Sequence, residues 1–599
     1  MKDGKKTIFI GIDGLDPIIL EQMMDKGHLP SFARLSRLGF YHRLSTINPP
    51  QSPVVWATIA TGKNPGEHGI YDFLHRTKDD YMPFLSILRL ERSGYVTPVR
   101  AETFWEAASA KGIEATVLRY PLTFPPNRTN GRVLSGLGTP DIRGGLGTYT
   151  LYTADPDFYG PDKKGRMIKV HENKKTIRTE VFGPLVSSFS GSREAPIPMI
   201  IELFERHIIC NIGGKKIEVS EGCWSDWIEI NFKTNFMSSI TGIVKFFLKR
   251  INKGLELYMT PVNIAPGDRT FRISGPLEYS VELNNALGPF ATVGMPEDTN
   301  ALNDCVIGED AFLSLCDHIM TEREKMFFYE LDRFDSGILA CVFDTSDRIQ
   351  HMFWRYIDPD NPMFNRETAA AYENVIPSLY KRTDSIIGRV LDRIAPDTLL
   401  IVCSDHGFNS LSKNLHLNNW LVDNGYMSLK NGAKSNKGLF DEVDWSRTKA
   451  YALGLNSLYF NVRGREKEGT INIGDLPYLK KGLSEKLTNL YDGNKRAIRR
   501  VYDSEKLYHG KETSNAPDLV IGHERGYRNS WQSAVGQVVN TDLFEVNMKN
   551  WSGEHCCDAE LVPGIFFTNE RSLLGNPTVL DIAPAILNYL GCDHMGQRE

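Results

Sequence analysis

Acidic and histidine residues recur in this sequence next to short apolar runs, and their types suit metal binding. Those after a run are Asp13, Asp347, His351, Asp405 and His406, and one more histidine, His555, precedes the last such run. Oxygen and imidazole donors without thiolates favour Zn²⁺, Mn²⁺ or iron. Three aspartates and three histidines are enough ligands for two ions, and a pair of ions stabilises both the attacking and the leaving oxygen of an in-line displacement.

The spacing of two of these groups has a local explanation as well as a chemical one. Asp347 and His351 are four residues apart, so on a helix both side chains point the same way and form half of a metal site. The alternative is an ordinary helical ion pair, worth about a few tenths of a kcal/mol. Asp405 and His406 are adjacent, so a tight turn at Gly407 is needed to direct both toward one point.

A hydroxyl stands at the start of a short predicted helix, between Gln51 and Gly62. Ser52 is a good N-cap, Pro53 suits the first helical position, and Gly62 can end the helix. A hydroxyl at this place meets free backbone N–H groups and the positive end of the helix dipole, which favours a phosphate or sulfate group. The alternative is a plain capping serine.

The apolar runs read as strands buried on both faces, and helical patterns alternate with them. The strands are predicted at Thr7 to Ile12, Ala115 to Arg119, Gly337 to Phe343, Thr398 to Cys403, Leu519 to Ile521 and Gly564 to Phe567. This alternation predicts an α/β sheet covered by helices. Ligands of open α/β sheets bind beyond the carboxyl ends of the strands, so the acidic and histidine groups are expected to converge there.

One segment has a different pattern of apolar, glycine and proline residues. From about residue 162 to 287, short alternating runs with frequent glycine and proline predict β-rich structure. We expect three parts: a first core part at 1–161, a β-rich insertion at 162–287 that shapes or covers a pocket, and a second core part at 288–599.

Composition narrows the class of protein. The chain has 599 residues, a net charge of −5 and a pI near 6.3, which argues against a dedicated nucleic-acid binder. Its nine scattered cysteines do not suggest a disulfide framework. A strand begins by Thr7, and no stretch approaches the ~20 apolar residues of a membrane span. We therefore expect a soluble cytoplasmic protein that does not engage membranes; the oligomeric state stays open.

Taken in order, Asp13, Ser52, Asp347, His351, Asp405-His406 and His555 resemble the alkaline phosphatase superfamily. Within it, the chain looks like the type I phosphodiesterase/nucleotide pyrophosphatase branch, nearest a group described as predicted phosphohydrolases or phosphomutases. The resemblance implies an α/β/α sandwich with a central, mostly parallel sheet. It also implies a metal-dependent hydrolase of phosphoric esters.

The resemblance further implies two divalent metal ions, with Zn²⁺ expected and Mn²⁺ as the alternative. One ligand set would be Asp347, His351 and His555. The other would be Asp13, Ser52, Asp405 and His406. Ser52 would be the catalytic nucleophile, activated by the second metal, and would form a covalent intermediate that water then releases.

The sequence departs from the family at one position. Where nucleotide pyrophosphatases carry an asparagine that holds a phosphate oxygen, this chain has Phe73, so nucleotide specificity is not implied. The expected substrate contacts are Phe73, His75, Arg348 and the glycine-rich loop at Gly138 and Thr139. Each has a bystander role as its alternative.

Two other segments have structural interpretations. His68-Gly69 matches the family's own His-Gly and is interpreted as structural. The segment from Gly526 to Trp531 combines aromatic and cationic side chains and is interpreted as a rigid loop, with substrate contact as the alternative.

The leading functional hypothesis is a two-metal phosphodiesterase acting on a small-molecule phosphate ester. A phosphomonoesterase or a phosphotransferase on the same site is the enzymatic alternative. A metal-binding pseudoenzyme is the alternative from another class. A sulfatase is disfavoured, because the residues after Ser52 do not form the Cys/Ser-x-Pro-x-Arg context of that group.

Overall fold

A computed structural model describes residues 5–92, 94–160, 163–188, 191–235 and 238–592. The chain forms two compact units. Unit 1 comprises Met1–Ala115 and Asp335–Glu599, and unit 2 comprises Thr116–Phe334. The boundaries of the expected 162–287 insertion stay a prediction.

Six strands and five helices lie in the described residues of the first segment of unit 1. They are β1 (Lys6–Ile12), α1 (Pro17–Asp25), α2 (Pro30–Leu38), β2 (Phe40–Leu44), α3 (Ser52–Thr61), α4 (Pro65–His68), β3 (Leu74–Arg76), β4 (Pro83–Leu85), β5 (Arg89–Glu91), β6 (Gly94–Val96) and α5 (Phe104–Ala110).

Unit 2 is rich in strands, the first of which begins at the boundary residue Ala115. Its elements are β7 (Ala115–Tyr120), β8 (Gly131–Ser135), β9 (Thr150–Thr153), β10 (Arg166–Lys169), β11 (Thr176–Ser188), β12 (Gly191–Leu203), β13 (His207–Ile212), β14 (Lys215–Ser220), β15 (Ile228–Lys233), β16 (Ser239–Val244), β17 (Phe246–Arg250), β18 (Glu256–Met259), β19 (Asn263–Ile264), β20 (Ser274–Gly275), α6 (Glu278–Leu287), α7 (Thr299–Asn303) and α8 (Glu309–Leu331).

The second segment of unit 1 returns to mixed helices and strands. Its elements are β21 (Gly337–Phe343), α9 (Thr345–Phe353), α10 (Arg366–Tyr372), α11 (Val375–Leu391), β22 (Thr398–Cys403), β23 (Asn409–Leu415), α12 (Leu417–Asp423), β24 (Ala450–Ala452), β25 (Ser457–Phe460), α13 (Leu476–Thr488), β26 (Tyr491–Asp492), β27 (Lys495–Arg496), β28 (Ile498–Asp503), α14 (Ser504–Leu507), β29 (Leu519–His523), β30 (Gly526–Asn529), α15 (Trp531–Ala534), β31 (Phe544–Val546), β32 (Gly553–Glu554), β33 (Gly564–Thr568) and α16 (Ile582–Leu590).

The sheet of unit 1 brings the predicted strand ends together. Five of its strands lie in the order β2-β33-β22-β1-β21. The central strand β1 runs parallel to β21 and β22, whereas β33 pairs antiparallel with both β22 and β2. Ile12 at the end of β1 pairs with Phe343 at the end of β21, so the residues that follow both strands share one edge. The α/β class is confirmed, and the sheet is mixed.

Two groups of helices pack together in unit 1. Helices α3, α5 and α16 contact one another, and α16 also contacts β1; the other group joins α2, α9 and α11. Phe9 of β1 meets Trp56 of α3 edge to face, with ring centroids 6.4 Å apart. A side chain at Gly11 would collide with Trp56, because an added Cβ would lie 2.5 Å from the indole. Glycine in this strand therefore lets α3 approach β1 closely.

Unit 2 contains small sheets whose strands pair mostly antiparallel, over an apolar core of its own. Strands β11 to β14 form one sheet in sequence order, and β15, β16 and β19 form another. In β15 the apolar Ile228, Ile230 and Phe232 are buried while the residues between them are exposed, the period of two expected for a half-buried strand. Among the residues that the structure describes, no helix has the length and apolar character needed to cross a membrane.

Candidate active site

Ser52 begins α3, one position later in the helix than its sequence context predicts. The N-cap is Gln51, whose backbone carbonyl accepts the N–H groups of Val54 and Val55. Pro53 has no N–H, so the helix start presents fewer free amides than expected from a capping serine. The Ser52 hydroxyl is directed instead at side chains: Oγ lies 3.3 Å from Asp13 Oδ1 and 3.1 Å from His406 Nε2.

The first ligand set lies around this hydroxyl. One ligand atom from each of Asp13, Asp405 and His406 lies within 4.8 Å of the others, and all three residues are buried. The turn at Gly407 accepts a hydrogen bond from His406 Nδ1 at 3.0 Å, and the Gly14 N–H donates to Asp405 Oδ1 at 3.1 Å. Asp405 Oδ2 is then left 3.1 Å from His406 Nε2.

The second ligand set is Asp347, His351 and His555. Helix α9 forms over the predicted stretch, and Asp347 Oδ1 lies 3.2 Å from His351 Nε2 and 3.6 Å from His555 Nε2. The His555 ring also stacks on His406 at a centroid distance of 3.6 Å. The structure therefore brings together all seven residues predicted for metal binding and nucleophilic attack; their roles stay a prediction.

The hydrogen bonds of the two histidines in the second set leave one nitrogen of each ring available for a cation. His351 Nδ1 donates to the Gly553 carbonyl and His555 Nδ1 donates to the Pro50 carbonyl, each at 2.7 Å. A carbonyl only accepts, so Nδ1 of each ring carries the donated proton, and Nε2 is the ring nitrogen that can bind a metal. Both Nε2 atoms thus face a carboxylate oxygen of Asp347. A divalent cation placed among them would bind the two nitrogens and the oxygen together.

Two buried carboxylate oxygens support this interpretation. Asp347 Oδ1 and Asp405 Oδ2 have no hydrogen-bond donor within the described part of the chain. A buried charged acceptor without a partner is costly, and metal coordination is one of its usual solutions. One such oxygen belongs to each ligand set, so the donors present fit two divalent ions.

The charges of the site shift several pKa values. Burial and the carboxylates of Asp405 and Asp347 raise the pKa of Asp13 well above its ordinary value. Burial lowers the pKa of His555 to about 3, and His406 assists, so the ring is neutral as a ligand must be. Burial opposes protonation of His406, but Asp405 prevails and raises its pKa. A proton and a metal cation would therefore compete for His406.

Neighbouring side chains hold the carboxyl end of β1. Ser346 Oγ donates to the Asp13 carbonyl at 2.6 Å, and Gln350 Nε2 donates to the Gly14 carbonyl at 2.7 Å. Tyr380 of α11 donates its hydroxyl to Gln350 Oε1 at 3.0 Å. Helix α9 thus carries one ligand set and fixes the strand end that carries the other.

Among the predicted substrate contacts, Arg348 lies at the cluster. Its Nη1 pairs with Asp347 Oδ2. Burial raises the pKa values of both Asp347 and Asp13, and the charge of Arg348 opposes this effect; the pKa of Asp13 is still raised overall, whereas that of Asp347 is lowered. The Phe73 backbone N–H donates to Gln51 Oε1 at 2.8 Å, beside the start of α3. The His75 ring stacks on Tyr459 at a centroid distance of 6.5 Å and lies tilted against Phe84 at 5.4 Å, and burial lowers the pKa of His75 to about 3.

Gly138 and Thr139 lie in unit 2, where they form part of a turn. The Thr139 hydroxyl and N–H both donate to the Gly136 carbonyl, at 2.8 and 3.0 Å. Gly138 has a φ of +102°, which explains glycine at that position. A substrate contact by either residue stays a prediction.

Sequence reasoning missed the residues that surround the loop of His555. Glu554 accepts from Arg528, from Trp551 and from two backbone N–H groups of its own loop. The only available signal was the cation in the segment Gly526–Trp531, whose Arg528 meets Glu554 in the fold. Cys556 is buried beside His555, and an atom of Cys556 also lies within 4.8 Å of ligand atoms of Glu554 and His555.

His68 packs beneath α3, in agreement with its structural interpretation. Thr58 donates its hydroxyl to the Val54 carbonyl, so it accepts from His68 Nε2 at 3.0 Å. The Ile70 N–H donates to His68 Nδ1 at 3.2 Å. Both ring nitrogens are therefore engaged in the neutral form, and burial lowers the pKa of His68 to about 3.

This histidine should make the fold sensitive to acid. In the unfolded chain this histidine is protonated below its ordinary pKa of 6.5, whereas in the folded protein it is protonated only below a pKa of about 3. The unfolded state therefore binds more protons between these two pH values, and stability is lost as the pH falls through this range. Between pH 6.5 and 5 this amounts to roughly 2 kcal/mol at most. Urea midpoints of metal-stripped protein at pH 7 and 5 should fall further for wild type than for His68→Gln. Equal losses in both proteins would contradict the assignment.

Comparison with known proteins gives the family. The model of the type I phosphodiesterase/nucleotide pyrophosphatase family matches residues 7–183 and 290–537, more than half of the chain. The chain belongs to this family of metal-dependent phosphoric ester hydrolases, as its motif order predicts. A search of curated proteins gives no match.

Solved structures with similar folds include human ectonucleotide pyrophosphatase/phosphodiesterase 5. That structure is 10% identical, with a TM-score of 0.42, and the match covers 99% of this chain and 96% of the other. Phosphonoacetate hydrolase from Sinorhizobium meliloti 1021, in complex with phosphonoformate, is 13% identical with a TM-score of 0.44, and the match covers 98% and 96% of the two chains.

Proposed function

We propose that this enzyme is a two-metal phosphodiesterase that acts on a small-molecule phosphate ester through a covalent Ser52 intermediate. The observation that carries the proposal is the position of Ser52 Oγ, which lies within hydrogen-bonding distance of Asp13 and His406. The second ligand set lies next to this hydroxyl, because its His555 ring stacks on the His406 ring of the first set. An oxygen nucleophile next to paired cation sites is the arrangement that an in-line displacement at phosphorus requires.

Each ligand set has its own place in this proposal. Asp13, Asp405, His406 and the Ser52 oxygen would hold one ion, and Asp347, His351 and His555 would hold the other. When bound, the ions supply positive charge that lowers the pKa of the serine hydroxyl and neutralises the phosphate oxygens. Oxygen and imidazole donors suit Zn²⁺, with Mn²⁺ as the alternative.

The chain itself supplies position and proton transfer. The Ser52 hydroxyl donates toward Asp13 Oδ1, so a proton acceptor stands beside the attacking oxygen. Trp56 donates to the other oxygen of the same carboxylate at 3.0 Å and holds Asp13 in place. Oγ would attack phosphorus and pass its proton toward Asp13, and the bond from phosphorus to the ester oxygen would break, so that this oxygen leaves as the alcohol once it is protonated. Water would then attack phosphorus, break the Oγ–P bond, and return a proton to Ser52.

Arg348 is the proposed contact for phosphate oxygens, in the role that Phe73 cannot fill. Its side chain is 6% exposed and its guanidinium pairs with Asp347, so it offers fixed positive charge at the cluster. Guanidinium groups match the geometry of phosphate oxygens. His75, Gly138 and Thr139 stay lesser candidates: His75 Nδ1 lies 3.3 Å from the Tyr459 hydroxyl, and the Thr139 hydroxyl donates to the Gly136 carbonyl.

The same arginine favours a second candidate function, a phosphomonoesterase. A monoester carries one more ionisable oxygen than a diester, and a buried guanidinium would stabilise the additional charge. Phosphotransfer to an alcohol acceptor would use the same covalent intermediate.

Hydrolysis of bis-p-nitrophenyl phosphate and of p-nitrophenyl phosphate, each in Zn²⁺ and in Mn²⁺, distinguishes the two functions. We expect a higher kcat/KM for the diester. The Arg348→Met variant should lose more activity on the monoester than on the diester, with Arg382→Met, on the partly buried face of α11, as a matched control. A preference of wild type for the monoester would replace the proposal with the phosphomonoesterase.

We also propose that residues 162–287 are a β-rich insertion between core parts 1–161 and 288–599. The family match supports an insertion within this segment, because it leaves out residues 184–289, while residues 162–183 belong to the matched part. The strands β10 to β20 all begin within the proposed segment.

A further inference from the structure

We propose that Glu554 is a positioning residue that sets both histidines of the Asp347 ligand set through one buried carboxylate. The inference rests on the proposed function, since it assigns a task within one of the two metal sites. It concerns the loop from Trp551 to Cys556, whose sequence carries no motif for such a role.

The carboxylate of Glu554 is fully engaged. Oε1 accepts the backbone N–H groups of His555 and Cys556, at 2.9 and 3.0 Å. Oε2 accepts from Arg528 Nη1 at 2.5 Å and from Trp551 Nε1 at 3.3 Å. Glu554 is 2% exposed and Arg528 is 3% exposed. A buried carboxylate with four donors is held in a single orientation.

The first oxygen fixes His555. Its two hydrogen bonds hold the backbone at the residue that must present Nε2 to Asp347. The far side of the ring is fixed as well, because His555 Nδ1 donates to the Pro50 carbonyl at 2.7 Å. Backbone and ring of this histidine are therefore both constrained.

The second oxygen reaches His351 through an indole. Trp551 stacks on the His351 ring with a centroid distance of 3.7 Å and an interplanar angle of 28°. Its Nε1–H bond to Glu554 sets the rotation of the indole, and the indole covers one face of His351. One carboxylate thus constrains two ligands that come from different parts of the chain.

A purely structural role is the alternative explanation. Arg528 of β30 pairs in register with Asn414 of β23, and Glu554 of β32 pairs with Asn409 of the same strand, so the ion pair could simply tie two neighbours of β23 together. That role predicts a general loss of stability. The positioning role predicts a defect confined to one of the two metal sites.

Zinc titration of metal-stripped protein separates these explanations. Wild type should bind two equivalents. Glu554→Gln, and Trp551→Phe, which keeps the aromatic ring but removes the N–H, should weaken one equivalent by about 10- to 100-fold and leave the other unchanged. Excess Zn²⁺ should restore the activity of both variants. Asp405→Asn should lose the other equivalent, and Glu560→Gln, whose side chain is 52% exposed, serves as the carboxylate control.

The outcomes are distinct. A wild-type protein that binds neither zinc nor manganese, titrated in the same way, would overturn the proposed function and this inference with it. Two equivalents in wild type that bind unchanged in Trp551→Phe and Glu554→Gln would overturn the inference alone. Equal weakening of both equivalents in these variants would also overturn it, in favour of the structural role. Trp551→Phe keeps the test valid if Glu554→Gln does not fold.

Discussion

The Ser52→Ala enzyme should lose at least about 10³-fold in kcat on its phosphoester substrate while it keeps its fold and its metals. The reason is that Ser52 Oγ is the only predicted nucleophile beside Asp13 and His406, whereas the acidic and imidazole ligands are unchanged. Steady-state rates, melting temperature and zinc content measured on one preparation test all three parts of the expectation.

Ser52→Thr is the matched control for that variant. Threonine keeps a hydroxyl at the same position of the side chain. We expect the threonine variant to retain measurable activity, reduced because its extra methyl group must fit where Ser52 is only 2% exposed. Activity of Ser52→Ala within about tenfold of wild type would exclude Ser52 as the nucleophile.

Asp347→Asn should have the second largest effect, a loss of at least about 10²-fold in activity together with one equivalent of metal. Asp347 Oδ1 faces the bare nitrogens of both His351 and His555, at 3.2 and 3.6 Å. An amide is neutral and a poorer ligand, so this variant removes the anionic member of its set without changing its shape. Atomic absorption and diester hydrolysis measure the two losses.

Chelation should reproduce this effect in the wild-type protein. The raised pKa of Asp13 reports carboxylates crowded into a buried space, so removal of the cations should also lower the melting temperature. Each ion present at 1,000 times its dissociation constant would contribute about 4 kcal/mol. For the Asp347→Asn variant, the matched control is Asp360→Asn, which changes an exposed carboxylate after α9. The control variant should keep the metal content and the activity of wild type. Full activity after complete metal removal would contradict the two-metal account.

The sequence was informative wherever chemistry followed a periodic element. Apolar runs identified β1, β21 and β22, and the rule for ligands of α/β sheets then placed Asp13, Asp347 and Asp405 at one edge. The four-residue spacing of Asp347 and His351 needed only a helix, which α9 provides. These predictions succeeded because strand burial and helical period are local properties that residue types encode.

Other features depend on contacts that are remote in sequence. Glu554 and Arg528 meet only because β30 and β32 both pair with β23, a register that local patterns do not specify. The cap of α3 was displaced by one residue, because Ser52 directs its hydroxyl at Asp13 rather than at its own helix. A residue that serves a site breaks the local rule that predicts its structural role.

The stereochemical course of hydrolysis at phosphorus tests the central claim most directly. A chiral phosphorothioate diester would be hydrolysed by the wild-type enzyme in ¹⁸O-labelled water, and the configuration of the product determined. Two in-line displacements, first by Ser52 and then by water, predict net retention. Net inversion would show a single direct attack by water and would contradict the covalent serine intermediate.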